Sequence, residues 1–349
     1  MSGDLLLRAR TGSAGRQTRQ RSPSRRALPL AACLGLLGLA VLASLALGSK
    51  AVSLPDVLAA LRGQDDPYLR SVVDSRVPRT AIGILAGACL AVSGVIMQGI
   101  TRNPLGDPGL LGVNIGAAAS VVTATAFLGV GGGASTVWVA LPGAFLAMLL
   151  VHVVGSGRHG ATPVRLVLAG AVLTAVLSAY VQAVTLSLPA VFDSYRFWVV
   201  GSLAGANAET SLQVLPFVVA GLVVAAMLAG PLNVLALGDA TATALGAHPS
   251  RTRLAGVVAA TLLCAASTAA VGPIAFVGLA VPHIVRSVVG SDHRWQLPLS
   301  LLLGPALLLA ADVVGRVVLR PQELMVGVVT AFIGAPVLLV VVRRMRMAT

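Results

Sequence analysis

Apolar runs long enough to cross a bilayer recur along almost the whole chain, separated by short polar punctuation. They lie at 27–48, 80–101, 109–128, 135–156, 164–188, 210–229, 252–271, 274–289, 297–316 and 324–343. A helix needs ~20 apolar residues to cross a ~30 Å hydrocarbon core, so the pattern predicts about ten transmembrane helices. The run at 274–289 is the weakest, because Pro273 precedes it and Pro282 interrupts it. It is retained because a spanning helix tolerates proline where neighbours re-satisfy the freed carbonyl. Small residues such as Gly83, Gly87, Gly94, Gly112 and Gly116 sit within the runs, and small faces let membrane helices approach closely. The expected fold class is therefore an all-α integral membrane bundle.

Residues 1–26 hold seven Arg and no apolar period, which predicts a disordered Arg-rich cytoplasmic tail. Residues 27–349 then form one polytopic domain. Ser24-Arg25-Arg26 before an apolar run is similar to a twin-Arg export signal. The run that follows is too long for a signal core, however, and nine more come after it.

Composition sharpens the picture. Apolar residues make up 56% of the 349 and charged residues 11%, against about 25% charged in ordinary soluble domains. Most of the surface must face lipid. The net charge of +13 invites a nucleic-acid reading, but aromatics are 4% and the Arg residues lie between apolar runs, not on one polar face. With the N-terminus inside, seven Arg fall in the tail and ten more on the same side, leaving eight of the 25 Lys+Arg outside. That bias follows the positive-inside rule and places both termini in the cytoplasm, with the protein in the cytoplasmic membrane. Cys33, Cys89 and Cys264 each lie within an apolar run without paired spacing, as buried small hydrophobes do.

Candidate chemistry is sparse. The single Lys, Lys50, stands in Gly48-Ser49-Lys50-Ala51, without the Gly-Lys-Ser/Thr order that cradles phosphates. The chain is therefore no P-loop ATPase, and no paired carboxylates, zinc-spaced His or nucleophile–base pair suggest another enzyme. The five His lie near inner ends of runs, as interfacial caps do. An ionisable group at the bilayer centre costs ~3 kcal/mol on insertion scales. Of the acidic residues only Asp312 lies within a run, and Arg316 follows four residues on, on the same helix face. A proton-coupled carrier is thereby disfavoured, and the energy should come from a partner.

Two inner loops look shaped to meet one. Arg102-Asn103-Pro104-Leu105-Gly106-Asp107-Pro108-Gly109 carries two prolines; Pro104 pushes Asn103 out of helix, and Asp107 can cap the next helix. In the loop 231–251, Asp239 can cap a short helix, Ala240 to Leu245, that Gly246 ends. On the outer side, Arg76, Arg79, Arg316 and Arg320 read either as snorkelling cations or as a basic rim for an acidic docking protein. The aromatic segment Asp193-Ser194-Tyr195-Arg196-Phe197-Trp198 is too short to span.

These motifs resemble the FecCD-type permeases of iron–siderophore and cobalamin importers. The matching residues are Arg76-Val77-Pro78-Arg79, Gly94 with Gln98-Gly99, Asn103 through Gly112, Phe197-Trp198 with Gly201-Ser202-Leu203, Gly278 with Val281-Pro282-His283-Ile284-Val285-Arg286, and Glu323-Leu324 through Gly334-Ala335-Pro336. The resemblance covers about residues 30–345 and leaves out the tail. It implies the type II importer permease fold and a pair of permeases, identical or related, in membrane lipid. Cytoplasmic ATPase subunits that use ATP and Mg dock on such a pair, and an extracytoplasmic binding protein feeds it; this chain itself holds no cofactor. By that resemblance Asp239, Ala244, Leu245 and Gly246 belong to the ATPase-coupling segment 236–248, and Arg76, Arg79 and Arg316 meet the binding protein. Asn103 and Leu105 resemble the cytoplasmic gate, while Pro163-Val164 departs from the family pattern at the second gate loop. Gly334 and Pro336 lie on a path-lining helix. The implied cargo is a ferric siderophore, with cobalamin or heme as alternatives and an ion-coupled carrier as the remaining one.

Overall fold

The computed structural model describes residues 23–48, 52–63, 67–130, 135–157, 160, 161 and 163–346. The Arg-rich tail therefore lies outside the described residues up to position 22, whereas Pro23 to Arg26 already belong to the first helix. In chain order the helices are α1 (Pro23–Ala46), α2 (Leu54–Leu61), α3 (Pro67–Thr101), α4 (Val113–Phe127), α5 (Ser135–Gly155), α6 (Pro163–Ser187), α7 (Pro189–Trp198), α8 (Ala208–Leu235), α9 (Asp239–Ala244), α10 (Pro249–Val271), α11 (Val277–Val289), α12 (His293–Val318) and α13 (Val326–Arg346). A two-residue antiparallel ladder, Ser156↔Ala161 and Gly157↔Gly160, closes the α5–α6 turn.

Among the described residues, seven helices are long and apolar enough to cross a membrane: α1, α3, α5, α6, α8, α10 and α12. Three shorter apolar helices are α4, α11 and α13, so every one of the ten sequence runs falls on a helix. The run at 274–289 is corrected in length. α11 has 13 residues and rises only ~20 Å, short of the ~30 Å hydrocarbon core. The chain between α10 and α11 is not helical, because Gly272 (φ 76) and Phe276 (φ 71) both take left-handed backbone. A Cβ on Gly272 would lie 2.2 Å from the Trp198 carbonyl oxygen. The break is covered by protein: Ser202 N–H donates to Val271 O at 2.8 Å. Irregular backbone at membrane depth is tolerated only with such cover.

α3 is the axis of the bundle, and every residue from Ala86 to Ile100 is buried. It packs on α8, α10, α11 and α12. Its closest approach is to α11, where a Cβ on Gly94 would sit 1.9 Å from Gly278 O. Only glycine fits there. α1 and α6 instead leave most of their apolar side chains exposed, Leu39 and Leu168 among them, as a lipid-facing shell requires. α3 also extends well past the predicted run of 80–101, so Arg76-Val77-Pro78-Arg79 forms part of the helix and not a lead-in. The bundle thus has two functional ends, both reached by α3: one at Arg76 and Arg79, the other at Arg102.

Candidate functional sites at the two ends of the bundle

The first end is built around the C-terminus of α1. A helix leaves its last four carbonyls without intrahelical donors, and the dipole there favours cations. Arg76 Nη1 donates to Leu45 O at 2.7 Å and Ala46 O at 3.1 Å. Arg316 Nη1 donates to Ser44 O and Leu47 O, each at 3.0 Å, and Arg316 Nη2 reaches Ser44 Oγ at 3.0 Å. Two arginines from α3 and α12 therefore cap α1. Arg316 is 2% exposed and Arg76 7%, so neither lies on an open basic rim.

Arg79 completes the cluster. Its Nε and Nη2 grip both oxygens of Asp312 at 3.1 and 2.8 Å, and its Nη1 donates to Glu323 Oε2 at 2.8 Å. The fork matches a carboxylate bidentately, the stronger geometry for such a pair. Asp312 also meets Arg316 Nη2 at 3.0 Å, so the i,i+4 pair legible in sequence forms part of a four-group network. Two cations and two carboxylates balance in it, and Arg76 adds a positive charge beside them. A cavity of about 400 Å³ opens there, lined by Tyr68, Arg76, Arg79, Arg316 and Glu323 among others. Beside it the aromatic segment folds as α7, whose Tyr195, Phe197 and Trp198 line a second cavity of about 490 Å³.

The opposite end carries α9. The sequence expectation that Asp239 caps this helix is corrected: Gly238 (φ 105) holds the cap position and Asp239 is the first helical residue. Its carboxylate is free to bridge, and Oδ1 receives Arg102 Nη2 as well as Arg253 Nη2, the latter at 2.7 Å. Hydrogen bonding from Arg253, with the charges of Arg253 and Arg102, holds the Asp239 carboxyl below the usual carboxylate range. Ala242 is the buried residue of α9, whereas Ala244 and Leu245 are exposed. Leu245 occupies the C-cap and Gly246 (φ 79) turns the chain away. The α9 segment thus presents a small apolar face outward.

Next to it lies the Asn103–Gly112 loop. Arg102 ends α3 in left-handed backbone, φ 51. Asn103 Oδ1 then accepts from Leu105 N–H at 2.9 Å, and Asn103 O from Gly106 N–H at 2.9 Å. Asp107 does cap, as expected, but over a 3-10 turn, Pro108–Leu111, that precedes α4; its Oδ1 accepts Gly109 N–H at 2.7 Å. Asn103 is exposed and Leu105 half-buried. Pro104 faces Gly334, Val337 and His283 across a narrow gap, which joins this loop to α13. Val164, at the departing position, is 76% exposed at the start of α6.

Sequence reasoning missed Asp312 and Glu323 as partners of Arg79, and Arg102 and Arg253 as partners of Asp239. Among the described residues, no group of three or more His, Cys, Asp or Glu could hold a metal ion.

This arrangement is one that comparison can place. Residues 36–344 match the sequence pattern of the FecCD transport family. The chain belongs to that family. The ferric enterobactin transport system permease protein FepD of Escherichia coli is 48% identical over 322 residues, covering 91% of this chain and 96% of FepD. The Fe(3+)-citrate import system permease protein YfmD of Bacillus subtilis is 38% identical, with 87% of this chain and 90% of YfmD covered. The hemin transport system permease protein HmuU of Yersinia pestis is 35% identical, with 90% and 96% covered. Among solved structures, an inward-facing putative metal-chelate type ABC transporter superposes with a TM-score of 0.79 at 29% identity, covering 91% of this chain and 99% of that one. The ten-helix FecCD permease fold is therefore shared across nearly the full chain.

Proposed function

We propose that this FecCD-family chain is the permease subunit of an ATP-driven importer for ferric siderophores in the cytoplasmic membrane. The observation that carries the proposal is the end-to-end match to the ferric enterobactin permease, at 48% identity over 91% of the chain. The geometry supports it. A bulky chelate needs a wide apolar passage, and the ion pairs of the described residues gather at the two ends of the bundle. Two permeases would share two cytoplasmic ATPase subunits, and those subunits would supply the ATP and Mg chemistry.

In this reading the α9 end faces the cytoplasm, with both termini. Asp239, Ala244, Leu245 and Gly246 belong to the surface that meets the ATPase, and Asn103 with Leu105 forms the gate. The opposite end receives an acidic face of the extracytoplasmic binding protein over the cavity that Arg76, Arg79 and Arg316 line. Arg79 is the accessible member, with a side chain 14% exposed against 2% for Arg316. The test is uptake of radiolabelled iron, as a panel of ferric siderophores beside labelled heme and cobalamin, in cells lacking only this protein. Loss of one ferric-siderophore signal, restored by the intact gene, is the expected result. Loss of heme or cobalamin uptake alone would overturn the cargo and keep the importer.

A further inference from the structure

The carboxylate of Asp239 gathers three elements at a single oxygen atom: the end of α3 through Arg102, the start of α10 through Arg253, and α9 itself. α9 is six residues long, with Ala242 alone buried in it, while Leu237 and Leu245 on either side are 60% and 64% exposed. So short a helix, with so little buried, is weakly held by packing. Two ion pairs join it to the end of α3 and the start of α10.

Arg102 is also the residue at which α3 stops and the gate loop begins. Its backbone is left-handed at φ 51, a conformation that non-glycine residues keep only where the surroundings over-determine it. The side chain that is fixed to Asp239 thus belongs to the same residue that sets the direction of Asn103, Pro104 and Leu105. One residue thus carries both the ion pair to α9 and the turn into the loop. The Arg102–Asp239 pair is solvent-exposed, with side chains 38% and 51% exposed. Exposed pairs contribute little to stability, so a purely structural role would leave no trace when one is removed.

We propose that Arg102 is a positioning residue that transmits movement of α9 to the gate loop through Asp239. The proposal rests on the importer reading above. It assigns Asp239 an internal task, where the resemblance gave it contact with the ATPase.

The experiment uses the full-length permease co-expressed with its ATPase subunits and reconstituted in lipid, in a Cys33→Ala background with Leu105→Cys as a reporter of the gate. Co-purification of the ATPase, ATP hydrolysis, and the ATP-dependent change in thiol labelling at position 105 are read together. For Arg102→Ala, the ATPase co-purifies and hydrolyses ATP at the parent rate, while the labelling change shrinks at least about fivefold, the lower range of an allosteric coupling. Arg102→Lys, which keeps the charge, retains most of it. Arg102→Gln reads the same quantity should Arg102→Ala fail to accumulate. An undiminished labelling change in both variants overturns the proposal. So does loss of ATPase co-purification with Arg102→Ala, which would make this pair part of the docking surface. A parent permease that takes up no ATPase at all sinks the importer reading itself.

Discussion

The two ends of the bundle hold their charges in opposite ways. At the arginine end, Arg316 and Asp312 are 2% and 1% exposed and the network spans α1, α3 and α12. At the α9 end, Asp239 is half exposed and serves both its arginines with one oxygen. Buried charge is stable only while every partner is present, since removing one strands the other in a low dielectric. Exposed charge can be broken and remade against water at small cost. The contrast separates an end held as a fixed seat from an end whose pairs can rearrange.

The sharpest way to break the contrast is Asp312→Ala. It leaves Arg79 and Arg316 without their shared carboxylate, and losing one partner of a buried pair costs about 3–5 kcal/mol. The variant should unfold at markedly lower temperature in detergent, or fail to accumulate; parent-like melting would mean the cluster is not the structural seat described here. Arg79→Glu comes next: it sets a third carboxylate beside Asp312 and Glu323, so melting temperature and uptake should both fall, and parent-like melting would contradict the network. Asp239→Asn should be milder in stability, within about 1 kcal/mol of the parent as exposed pairs are, yet impaired in uptake; thermal melts and transport on one preparation separate these.

The smallest effect concerns pH. The Asp239 carboxyl is held below its ordinary value, so its contribution is present above the unfolded value of ~3.9 and is lost only as pH falls through the lower folded value. Melting of the parent minus that of Asp239→Asn should therefore stay constant from roughly pH 8 to pH 5. A difference that fades within that window would mean the bridge is not formed.

How much of this could be read from the sequence differs between the same two regions. The ten runs were legible because bilayer thickness imposes a length that composition alone satisfies. The short span of α11 was not, since it depends on left-handed backbone at Phe276, a residue whose type gives no such signal. α2 was missed because eight residues produce too short a pattern. At the arginine end the i,i+4 spacing of Asp312 and Arg316 was visible. The bond from Arg79 to Asp312 spans 233 positions, and only the fold brings them together. At the α9 end the cap was placed one residue late because Gly238 and Asp239 both suit it, and the choice turns on backbone angles. The family motifs, by contrast, were legible as strings and the family comparison bears them out.

Transport into vesicles holding the purified permease, its ATPase and a binding protein decides the matter, with the radiolabelled ferric siderophore found in the uptake panel as cargo. Accumulation should require ATP on the ATPase side and be unaffected by collapsing the proton gradient. Accumulation without ATP, driven by a proton gradient and abolished by Asp312→Asn in protein that still folds, would contradict it and make the chain a secondary carrier.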